Sequence, residues 1–554
     1  MISLIRKILH QKVAFIFKQK LHSAITGLEI PNLCLETTIW RNLDKWQDKT
    51  ALVCSVTNRS YTYLELYNNA NSLANFSYQF RSSKCDVAVV VLPNMPEFAI
   101  ILLGLVRAGF VVTTLNPSFT AGEMCRQFAN VDAKLVFTTS EAYRTVIKTL
   151  QLMKLQVPVV TVETQGGALL NHDTIDFKNV IQQSSSNIQF NVERNHEDTV
   201  IMPFTSGTTG YPKGIELTHK NMVSCLYQMS TKEFDIVSET NGSDQDVIPV
   251  ILPMYHLYGM AILLLHGLLK GCKLVIVPKI SSQILISILE RHKPTVIYLV
   301  PPIFGMLLNN NCVGRSHFAT VKYILSGGAC LGYSDIVALQ DKVGGHVNVV
   351  QAYGLTESSS MSHSQSARLK NGIKPGGAGF LLPLTEGKII SHEDEKELAH
   401  YQVGEILLRG PQIMKGYYNN ENANREAFTC DGWFKTGDTG YCDEDGHFFI
   451  TGRLKEIIKV KGFQVAPAEL EELIRQHPDV EDVAVIGVPH HLFGESPKAF
   501  VVRKRDSNVT TFEIEEFVKK NVVKYKQLSG GVVFTESIPK SPSGKILRKL
   551  LVNT

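Results

Sequence analysis

The sequence predicts an α/β fold with a large amino-terminal domain of parallel, helix-covered sheets. Short β-branched runs alternate with helix-like stretches as far as about Pro375; residues 87–92, for example, lead into a helical pattern from Met95. This alternation is typical of parallel sheets with helices on both faces. Small or polar loops follow several of these runs, so we expect a cleft beyond the carboxyl ends of the strands.

The strands of this domain can be placed from their apolar, β-branched composition. They are predicted at residues 51–54, 60–63, 87–92, 111–115, 134–137, 159–162, 247–253, 273–279, 295–302, 323–325 and 348–350. Two longer apolar stretches approach the length of a membrane span. Arg107 interrupts residues 98–115, which we predict to be a buried helix that leads into a strand. Pro253 and His256 interrupt residues 247–269, which we predict to be a strand, a loop and a helix.

The predicted pattern of strands and turns changes after Pro375. Short strands at residues 388–390, 404–408 and 447–450 are separated by glycine-containing turns, which predicts a small antiparallel or barrel-like piece. The chain after residue 455 predicts a small α+β domain of a size that can fold alone. Its helices are expected at 466–476 and 512–521, and its strands at 483–488 and 499–502. The predicted divisions are a basic segment at 1–29, a large domain at 30–452, a hinge at 453–455 and a carboxyl-terminal domain at 456–554.

Composition excludes several classes of function. The chain has 554 residues and a formal net charge of +4, with no dense run of lysine and arginine in its body, so nucleic acid is not a predicted partner. The ten cysteines are scattered and never form a Cys-x-x-Cys pair. This spacing disfavours a zinc site or a disulfide framework and is typical of a reducing compartment.

The first 28 residues contain no Asp or Glu, and their lysines and arginine interleave with apolar residues. This basic amphipathic pattern would suit a mitochondrial transit peptide, a helix on a membrane surface, or a helix packed on the first domain. The sequence ends in Leu551-Val552-Asn553-Thr554 and not in a Ser-Lys-Leu peroxisomal address. We therefore expect a mitochondrial or cytosolic location in preference to a peroxisomal one.

A loop at residues 205–214 contains four Ser or Thr hydroxyls, three glycines and one lysine, directly after an apolar run. Glycines let backbone N–H groups approach an anion, hydroxyls donate hydrogen bonds and lysine adds charge, so the loop predicts phosphate binding. Gly214 follows Lys213 where a P-loop would carry Ser or Thr, which disfavours a P-loop NTPase. A flexible surface loop is the alternative on composition alone. The candidate ligands are Thr205, Ser206, Gly207, Thr208, Thr209 and Lys213.

Further motifs follow in a fixed order. They lie at residues 255–259, 351–357, 432–438, 452–456 and 539–545. Together with the phosphate loop, this ordered set resembles the adenylate-forming (AMP-binding) superfamily, which contains acyl-CoA synthetases, 4-coumarate:CoA ligases, beetle luciferases and the adenylation domains of peptide synthetases. The resemblance extends from about Ile30 to Arg548. Residues 455–471 look most like the 4-coumarate:CoA ligases and their animal relatives.

The resemblance implies a two-step reaction, with a small mobile carboxyl-terminal domain that rotates about its hinge between the steps. A carboxylate attacks the α-phosphorus of ATP to give acyl-AMP and pyrophosphate, and the thiol of CoA then displaces AMP. Because the first step brings two anions together, oriented N–H groups, lysines and Mg²⁺ must neutralise their charge. The co-substrates and cofactor implied are therefore ATP, CoA and Mg²⁺.

The resemblance also assigns roles to individual residues. Lys545 would bridge the acyl carboxylate and the α-phosphate, His256 would lie where the carboxylate enters, and Thr356 would contact the α-phosphate. Glu357 would bind Mg²⁺, and Asp438 would accept both ribose hydroxyls. The other residues implied are Tyr353, packed on adenine; Gly328, Ala329, Gln351, Gly354, Arg453, Lys459 and Gln464 for ATP or AMP; Tyr258, Ala329 and Gly354 with His256 for the acyl pocket; and Lys279, Lys461 and Gly462 for CoA.

The predicted function is ATP-dependent ligation of an aromatic or medium-chain carboxylic acid to CoA. The polar run at residues 358–360 falls at substrate-pocket positions and differs from the plant enzymes, which disfavours coumarate itself. Three alternatives remain: a long-chain fatty acyl-CoA synthetase, a luciferase-like oxygenase and a non-catalytic adenylate-binding protein. The implied partners are small molecules, with peripheral membrane contact through residues 1–28 as a further option.

Overall fold

The computed structural model describes residues 21–23, 27–163, 174–182, 192–205, 212–308, 310–328, 331, 333–460, 463–490, 494–541 and 544–552. The predicted amphipathic segment at residues 1–28 lies almost wholly outside this description. No helix in the described ranges combines the length and the apolar character that crossing a membrane would require.

The helices lie where the apolar residues recur at helical spacing. They are α1 (Leu35–Trp40), α2 (Leu43–Trp46), α3 (Tyr63–Tyr78), α4 (Pro96–Ala108), α5 (Ala121–Phe128), α6 (Ser140–Met153), α7 (Phe177–Gln182), α8 (His219–Met229), α9 (His266–Leu269), α10 (Ser282–His292), α11 (Pro301–Leu308), α12 (Tyr333–Val343), α13 (Glu421–Ala427), α14 (Pro467–Arg475), α15 (Thr511–Asn521) and α16 (Arg548–Leu551). A π-helix covers Tyr258–Leu265, and 3₁₀ turns cover Arg315–Phe318, Thr356–Ser358, Leu454–Glu456 and Lys524–Lys526.

The strands alternate with these helices through the first two thirds of the chain. They are β1 (Leu21–His22), β2 (Thr50–Cys54), β3 (Ser60–Thr62), β4 (Val87–Val91), β5 (Val111–Thr114), β6 (Ala133–Thr139), β7 (Val159–Val162), β8 (Ile175–Asp176), β9 (Thr199–Ile201), β10 (Phe204–Thr205), β11 (Lys213–Thr218), β12 (Val247–Val250), β13 (Lys273–Ile276), β14 (Val296–Leu299), β15 (Tyr323–Ser326), β16 (Asn348–Tyr353), β17 (His363–Ser364), β18 (Phe380–Leu381), β19 (Glu386–Ile390), β20 (Gly404–Arg409), β21 (Gly416–Tyr417), β22 (Phe434–Cys442), β23 (Phe448–Arg453), β24 (Ile458–Val460), β25 (Phe463–Val465), β26 (Val480–His490), β27 (Gly494–Arg503) and β28 (Val532–Phe534).

Parallel sheets form the body of the large domain, as predicted. One has the order β10-β11-β9-β5-β4-β6-β7-β8, parallel from β9 to β8, with β21 beside β11. The second runs β12-β13-β2-β3 and the third β14-β15-β16-β17-β18, each with parallel strands at its start. The backbone N–H of Thr295 donates to the carbonyl of Val247 at 2.9 Å, which places the start of β14 beside β12.

The antiparallel piece and the α+β domain are also confirmed. Strands β1-β19-β20-β22-β23 pair antiparallel along one path. In the last hundred residues, β25-β24-β27-β26 form a sheet with β28 parallel to β27, and α14 and α15 belong to the same unit. Its buried apolar cluster begins at Ile458, whereas the main cluster ends at Phe448. The predicted boundary at residues 453–455 lies between these clusters and stays a prediction.

Several boundaries differ from the predicted ones. The strand expected at residues 295–302 ends at Leu299, because Pro301 begins α11, where proline has no helical hydrogen bond to lose. The strand expected at 348–350 continues to Tyr353, which brings two predicted site residues into the sheet. The buried helix and strand predicted at 98–115 are confirmed as α4 and β5. In the stretch at 247–269, the helix begins as a π-helix.

Candidate active site

The predicted motifs converge at the carboxyl ends of parallel strands. Strand β15 ends at Ser326 and runs into the turn at residues 327–328, and its neighbour β16 ends at Tyr353. Strand β12 leads into residues 251–257, and the π-helix then begins at Tyr258. The carboxyl ends of β15 and β16 lie at one edge of their sheet, and Tyr258 packs close to the turn at Gly327, so these segments share a cleft.

The phosphate loop joins the two strands of a hairpin. Thr205 in β10 pairs with Lys213 in β11, so both ends of the loop are held in register. Ser206, Gly207, Thr208 and Thr209 lie outside the described residues, and their phosphate contacts stay predictions. The Lys213 ammonium lies 5.0 Å from the centroid of the Tyr417 ring.

Glu357 lies within a short 3₁₀ turn that begins at Thr356. Its Oε1 accepts a hydrogen bond of 3.0 Å from the hydroxyl of Tyr417. Burial raises the pKa of Glu357, while Tyr417, Lys545 and Arg453 act in the opposite direction. The carboxylate therefore accepts its hydrogen bond from a neutral donor, and the positive charges of Lys545 and Arg453 favour its ionised form.

Asp438 is buried between two neighbours, with 5% of its surface exposed. Its Oδ2 accepts a hydrogen bond of 2.7 Å from the hydroxyl of Tyr353, and the Arg453 Nε lies 3.3 Å from its Oδ1. Asp438 and Arg453 are also direct partners in the β22–β23 pairing. The tyrosine predicted to pack on adenine thus also orients the carboxylate predicted to bind ribose.

His256 and Tyr258 form one wall of the cleft. The Nδ1 of His256 accepts a hydrogen bond of 3.2 Å from the backbone N–H of Tyr258, so the neutral ring carries its proton on Nε2, and the residue is exposed. The surrounding protein, and then Lys545, lower the pKa of His256 to about 4, so the ring is neutral at physiological pH. The buried Tyr258 hydroxyl would lie 3.2 Å from a Cβ added at Gly327, so a larger residue there would crowd this wall.

Lys545 reaches this cleft from the carboxyl-terminal domain. Its loop is closed by the backbone N–H of Ser541, which donates to the carbonyl of Lys545 at 2.8 Å. Crowding by protein and the charge of Arg453 lower the pKa of Lys545, whereas Asp438 and Glu357 raise it. The side chain is nevertheless exposed, because the cleft that surrounds it is open to solvent. The structure therefore brings Lys545 to the residues predicted to bind the nucleotide and the metal.

Two residues predicted to bind ATP make contacts that stabilise the fold. Gln351 is buried, and its Oε1 accepts from the backbone N–H of Leu331 while its Nε2 donates to the carbonyl of Gly377, both at 3.3 Å. Gly354 packs so closely that an added Cβ would lie 2.0 Å from the Ser360 carbonyl oxygen. Both residues shape the loops of the cleft through backbone contacts.

The other predicted residues are less closely gathered. Gly328 has a φ of +83°, a conformation that favours glycine, and Ala329 lies outside the described residues. Lys279 is exposed beyond the end of β13, and Lys459 is exposed in β24, where it pairs with Gln464. Lys461 and Gly462 also lie outside the description, so the CoA contacts stay predictions.

The polar run at residues 358–360 requires a correction. Ser358 and Ser359 are wholly buried, and their hydroxyls donate to the carbonyls of Leu355 and Gln412 at 3.1 and 2.8 Å. These side chains are satisfied within the fold and do not set the polarity of the acyl pocket. The difference of Ser358 and Ser359 from the plant enzymes is therefore no evidence against coumarate, whereas Ser360 is half-buried.

Sequence reasoning missed Tyr417. The residue follows Gly416 in a short stretch with the composition of a turn, and nothing in that composition indicates a contact with Glu357 or Lys213. Only the pairing of β21 with β11 brings it to the site.

A second cluster lies away from this cleft. Ligand atoms of Cys34, Glu36 and His219 lie within 4.8 Å of one another. The His219 Nδ1 accepts a hydrogen bond of 3.0 Å from the backbone N–H of Leu35, so its Nε2 carries the proton and offers no lone pair. Glu36 is already paired with the guanidinium of Arg194. We therefore interpret this cluster as a structural network.

The comparisons with known proteins agree with this geometry. Residues 39–418 match the AMP-binding enzyme family. The chain belongs to that family. Residues 469–545 match the carboxyl-terminal domain of AMP-binding enzymes, and the superfamily predicted from the ordered motifs is thereby confirmed.

Two relatives and one solved structure show how far the likeness of this AMP-binding enzyme extends. 4-Coumarate–CoA ligase 1 of Arabidopsis thaliana is 36% identical over 535 residues, covering 95% of this chain and 94% of that protein. Probable 4-coumarate–CoA ligase 1 of Dictyostelium discoideum is 33% identical over 539 residues, covering 96% of each. ATP-bound MatB from Rhodopseudomonas palustris superposes with a TM-score of 0.84 at 26% identity, covering 94% of this chain and 99% of that one.

Proposed function

We propose that this AMP-binding enzyme is an ATP-dependent acid:CoA ligase for an aromatic or medium-chain carboxylic acid. The observation that carries the proposal is the position of Lys545, which comes from the carboxyl-terminal domain to lie near His256, Glu357, Asp438 and Arg453. The likeness to 4-coumarate–CoA ligases over nearly the whole chain supports the same reaction class.

In the first step, a carboxylate oxygen of the acid bonds to the α-phosphorus of ATP. The bond from that phosphorus to the bridging oxygen breaks, and pyrophosphate leaves. Lys545 offsets the repulsion between the two anions at the point of attack. His256 is neutral and can donate a hydrogen bond to the incoming carboxylate without a change of charge.

In the second step, the sulfur of CoA bonds to the acyl carbon of acyl-AMP. The bond from this carbon to the phosphate oxygen breaks, AMP leaves, and the thiol proton is lost to solvent. Asp438 holds the nucleotide through both steps, because its two oxygens have acceptor capacity beyond the bonds from Tyr353 and Arg453.

The residues present also fit a magnesium ion. Mg²⁺ usually binds one or two carboxylates together with substrate phosphates and water. Glu357 offers such a carboxylate, oriented by Tyr417 and half-buried at the cleft. When bound, the ion would neutralise phosphate charge.

Pyrophosphate release across a panel of carboxylic acids tests the proposal, with and without CoA. We expect release with aromatic or medium-chain acids and conversion to the thioester when CoA is added. Preference for long-chain acids would favour a fatty acyl-CoA synthetase, and ATP- and oxygen-dependent light from luciferin would favour an oxygenase. Nucleotide binding without release for any acid would establish a non-catalytic adenylate-binding protein.

A further inference from the structure

Tyr417 stands between two groups of opposite charge. Its hydroxyl donates to the Glu357 Oε1 at 3.0 Å, and the Lys213 ammonium lies over its ring at 5.0 Å from the centroid. A cation over an aromatic face within about 6 Å is attracted by the ring. One side chain therefore contacts both the lysine predicted for the phosphates and the carboxylate predicted for the metal.

The backbone of Tyr417 is clamped in place. Its N–H donates to the Oδ1 of Asn424 at 2.6 Å, and the Nδ2 of Asn424 donates back to its carbonyl at 3.0 Å. Tyr417 also pairs with Ile215 in the strand that begins at Lys213. In the same segment, two residues before Gly416, the N–H of Met414 donates to the carbonyl of Glu357 at 2.8 Å. The ring is thus fixed relative to the main chain on both sides.

This fixed ring has an electrostatic consequence. A flexible lysine and a carboxylate in one cleft attract each other, and a direct pair would occupy the charges that ATP and its metal need. Lys213 forms no ion pair with any residue in the described ranges, and it lies on the ring face instead. The ring face holds Lys213 and the hydroxyl holds Glu357, and both contacts are weak enough to leave the two charges available to a ligand.

We propose that Tyr417 is a positioning residue that keeps Lys213 and Glu357 apart and oriented for the metal-bound triphosphate of ATP. The inference rests on the proposed function, because that function supplies the ligand. The ring and the hydroxyl of Tyr417 have separate roles. The ring prevents a direct Lys213–Glu357 pair, and the hydroxyl orients the carboxylate toward the metal.

Binding of ATP in EDTA, measured by titration calorimetry, tests the role of the ring. We expect Tyr417→Leu to weaken metal-free binding about fivefold, because a half-exposed Lys213–Glu357 pair would form and have to be broken. In a Glu357→Gln background this pair cannot form, so adding Tyr417→Leu should change binding by less than about twofold. An equal loss in both backgrounds, or no loss in either, would overturn the role.

A magnesium titration at fixed ATP tests the role of the hydroxyl. Tyr417→Phe keeps the ring, so ATP binding in the absence of metal should be unchanged. The magnesium concentration at which half of the protein–ATP complex has bound the metal should rise about tenfold, as it does for other residues that orient a metal ligand. An unchanged magnesium requirement would contradict this role. The calorimetric readout needs no acid, CoA or turnover.

Tyr418→Leu, in the adjacent tyrosine, is the matched control for disturbance of the segment. We expect it to leave both titrations within about twofold of the unmodified protein. A loss as large as that of Tyr417→Leu would assign the effect to local packing and reject the inference. If the unmodified protein binds no ATP, the proposed function itself fails, whereas normal binding with insensitive Tyr417 variants rejects the inference alone.

Discussion

Several buried histidines in this protein have pKa values well below the usual range. His219, His266, His363 and His447 each expose 3% of their surface or less. Burial lowers the pKa of His219 and His447 to about 4, and that of His266 and His363 to about 3. All four are therefore neutral in the folded protein down to pH values at which they would be charged in water.

These histidines predict a loss of stability in mild acid. Below about pH 6.5 these histidines bind protons in the unfolded chain but stay neutral in the folded one. Their contribution to the free energy of unfolding is therefore fully present above that pH and falls toward pH 4. Each histidine contributes a slope of up to about 1.4 kcal/mol per pH unit in this window. The urea midpoint, measured from pH 8 to pH 5, should fall steadily below about pH 6.5.

The variant His363→Gln serves as the control for this prediction. It removes one titrating group, so the slope of stability against pH should become smaller by about one proton. Stability that does not change between pH 7 and pH 5 would show that these histidines are not neutral in the folded protein.

At the scale of an element, the start of the π-helix depends on one close approach. A Cβ added at Gly259 would lie 2.2 Å from the carbonyl oxygen of Pro253. The same carbonyl accepts a hydrogen bond of 3.1 Å from the N–H of His256, and the His256 carbonyl accepts one of 3.0 Å from the N–H of Met260. Gly259 therefore lets the start of the helix pack on the loop that follows β12, and this contact positions His256.

We expect Gly259→Ala to lower both stability and adenylation. Inserting a methyl against backbone costs about 1–3 kcal/mol or moves the segment, and either result displaces His256. Thermal unfolding and pyrophosphate release measure the two effects.

Gly305→Ala is a suitable control, because an added Cβ in α11 meets nothing within 4 Å. Since alanine favours a helix over glycine, this change should leave stability unchanged or slightly raised. A Gly259→Ala protein as stable and active as the unmodified one would refute the packing argument.

At the scale of the whole molecule, the carboxyl-terminal domain supplies Lys545, whose charge interacts with Glu357 and Asp438 of the large domain. Arg548, three residues later, ties this segment to its own domain, with ion pairs of 2.7 Å to Glu471 and 3.0 Å to Glu456. Glu456 directly follows the predicted hinge, so the lysine loop and the hinge are linked by one arginine. This arrangement suits a domain that moves as a rigid body.

Lys545→Ala should separate the two half-reactions. Formation of acyl-AMP should fall by about 10² or more, since a preorganised charge at the attacked phosphorus is lost. Conversion of supplied acyl-AMP to acyl-CoA should continue, because the first step alone needs this charge. Pyrophosphate release and thioester formation are measured separately.

The exposed Lys524 lies in the same domain but outside the cleft, and Lys524→Ala should leave both half-reactions unchanged. Equal loss of both steps in Lys545→Ala would contradict a role confined to adenylation.

Much of this architecture could be predicted because it depends on local chemistry. The β-branched runs and their alternation with helices predicted the parallel sheets, and the ordered motifs predicted the family. Asp438, Glu357 and Lys545 could be predicted as site residues because each lies within a distinctive motif, and their roles stay predictions. The roles of Tyr417 and of the buried serines were not, because a tyrosine in a turn and a serine after a glutamate have no local signal.

The sequence by itself determined the fold class, the family and the residue types that can handle phosphate, ribose and carboxylate. The tertiary structure alone decided which charges meet. It brought Lys545 to Asp438 across a domain boundary, placed the Tyr417 ring against Lys213, and turned Ser358 and Ser359 into the core. The physical reason is that pattern and propensity act over a few residues, whereas electrostatic fields and burial depend on side chains hundreds of residues apart.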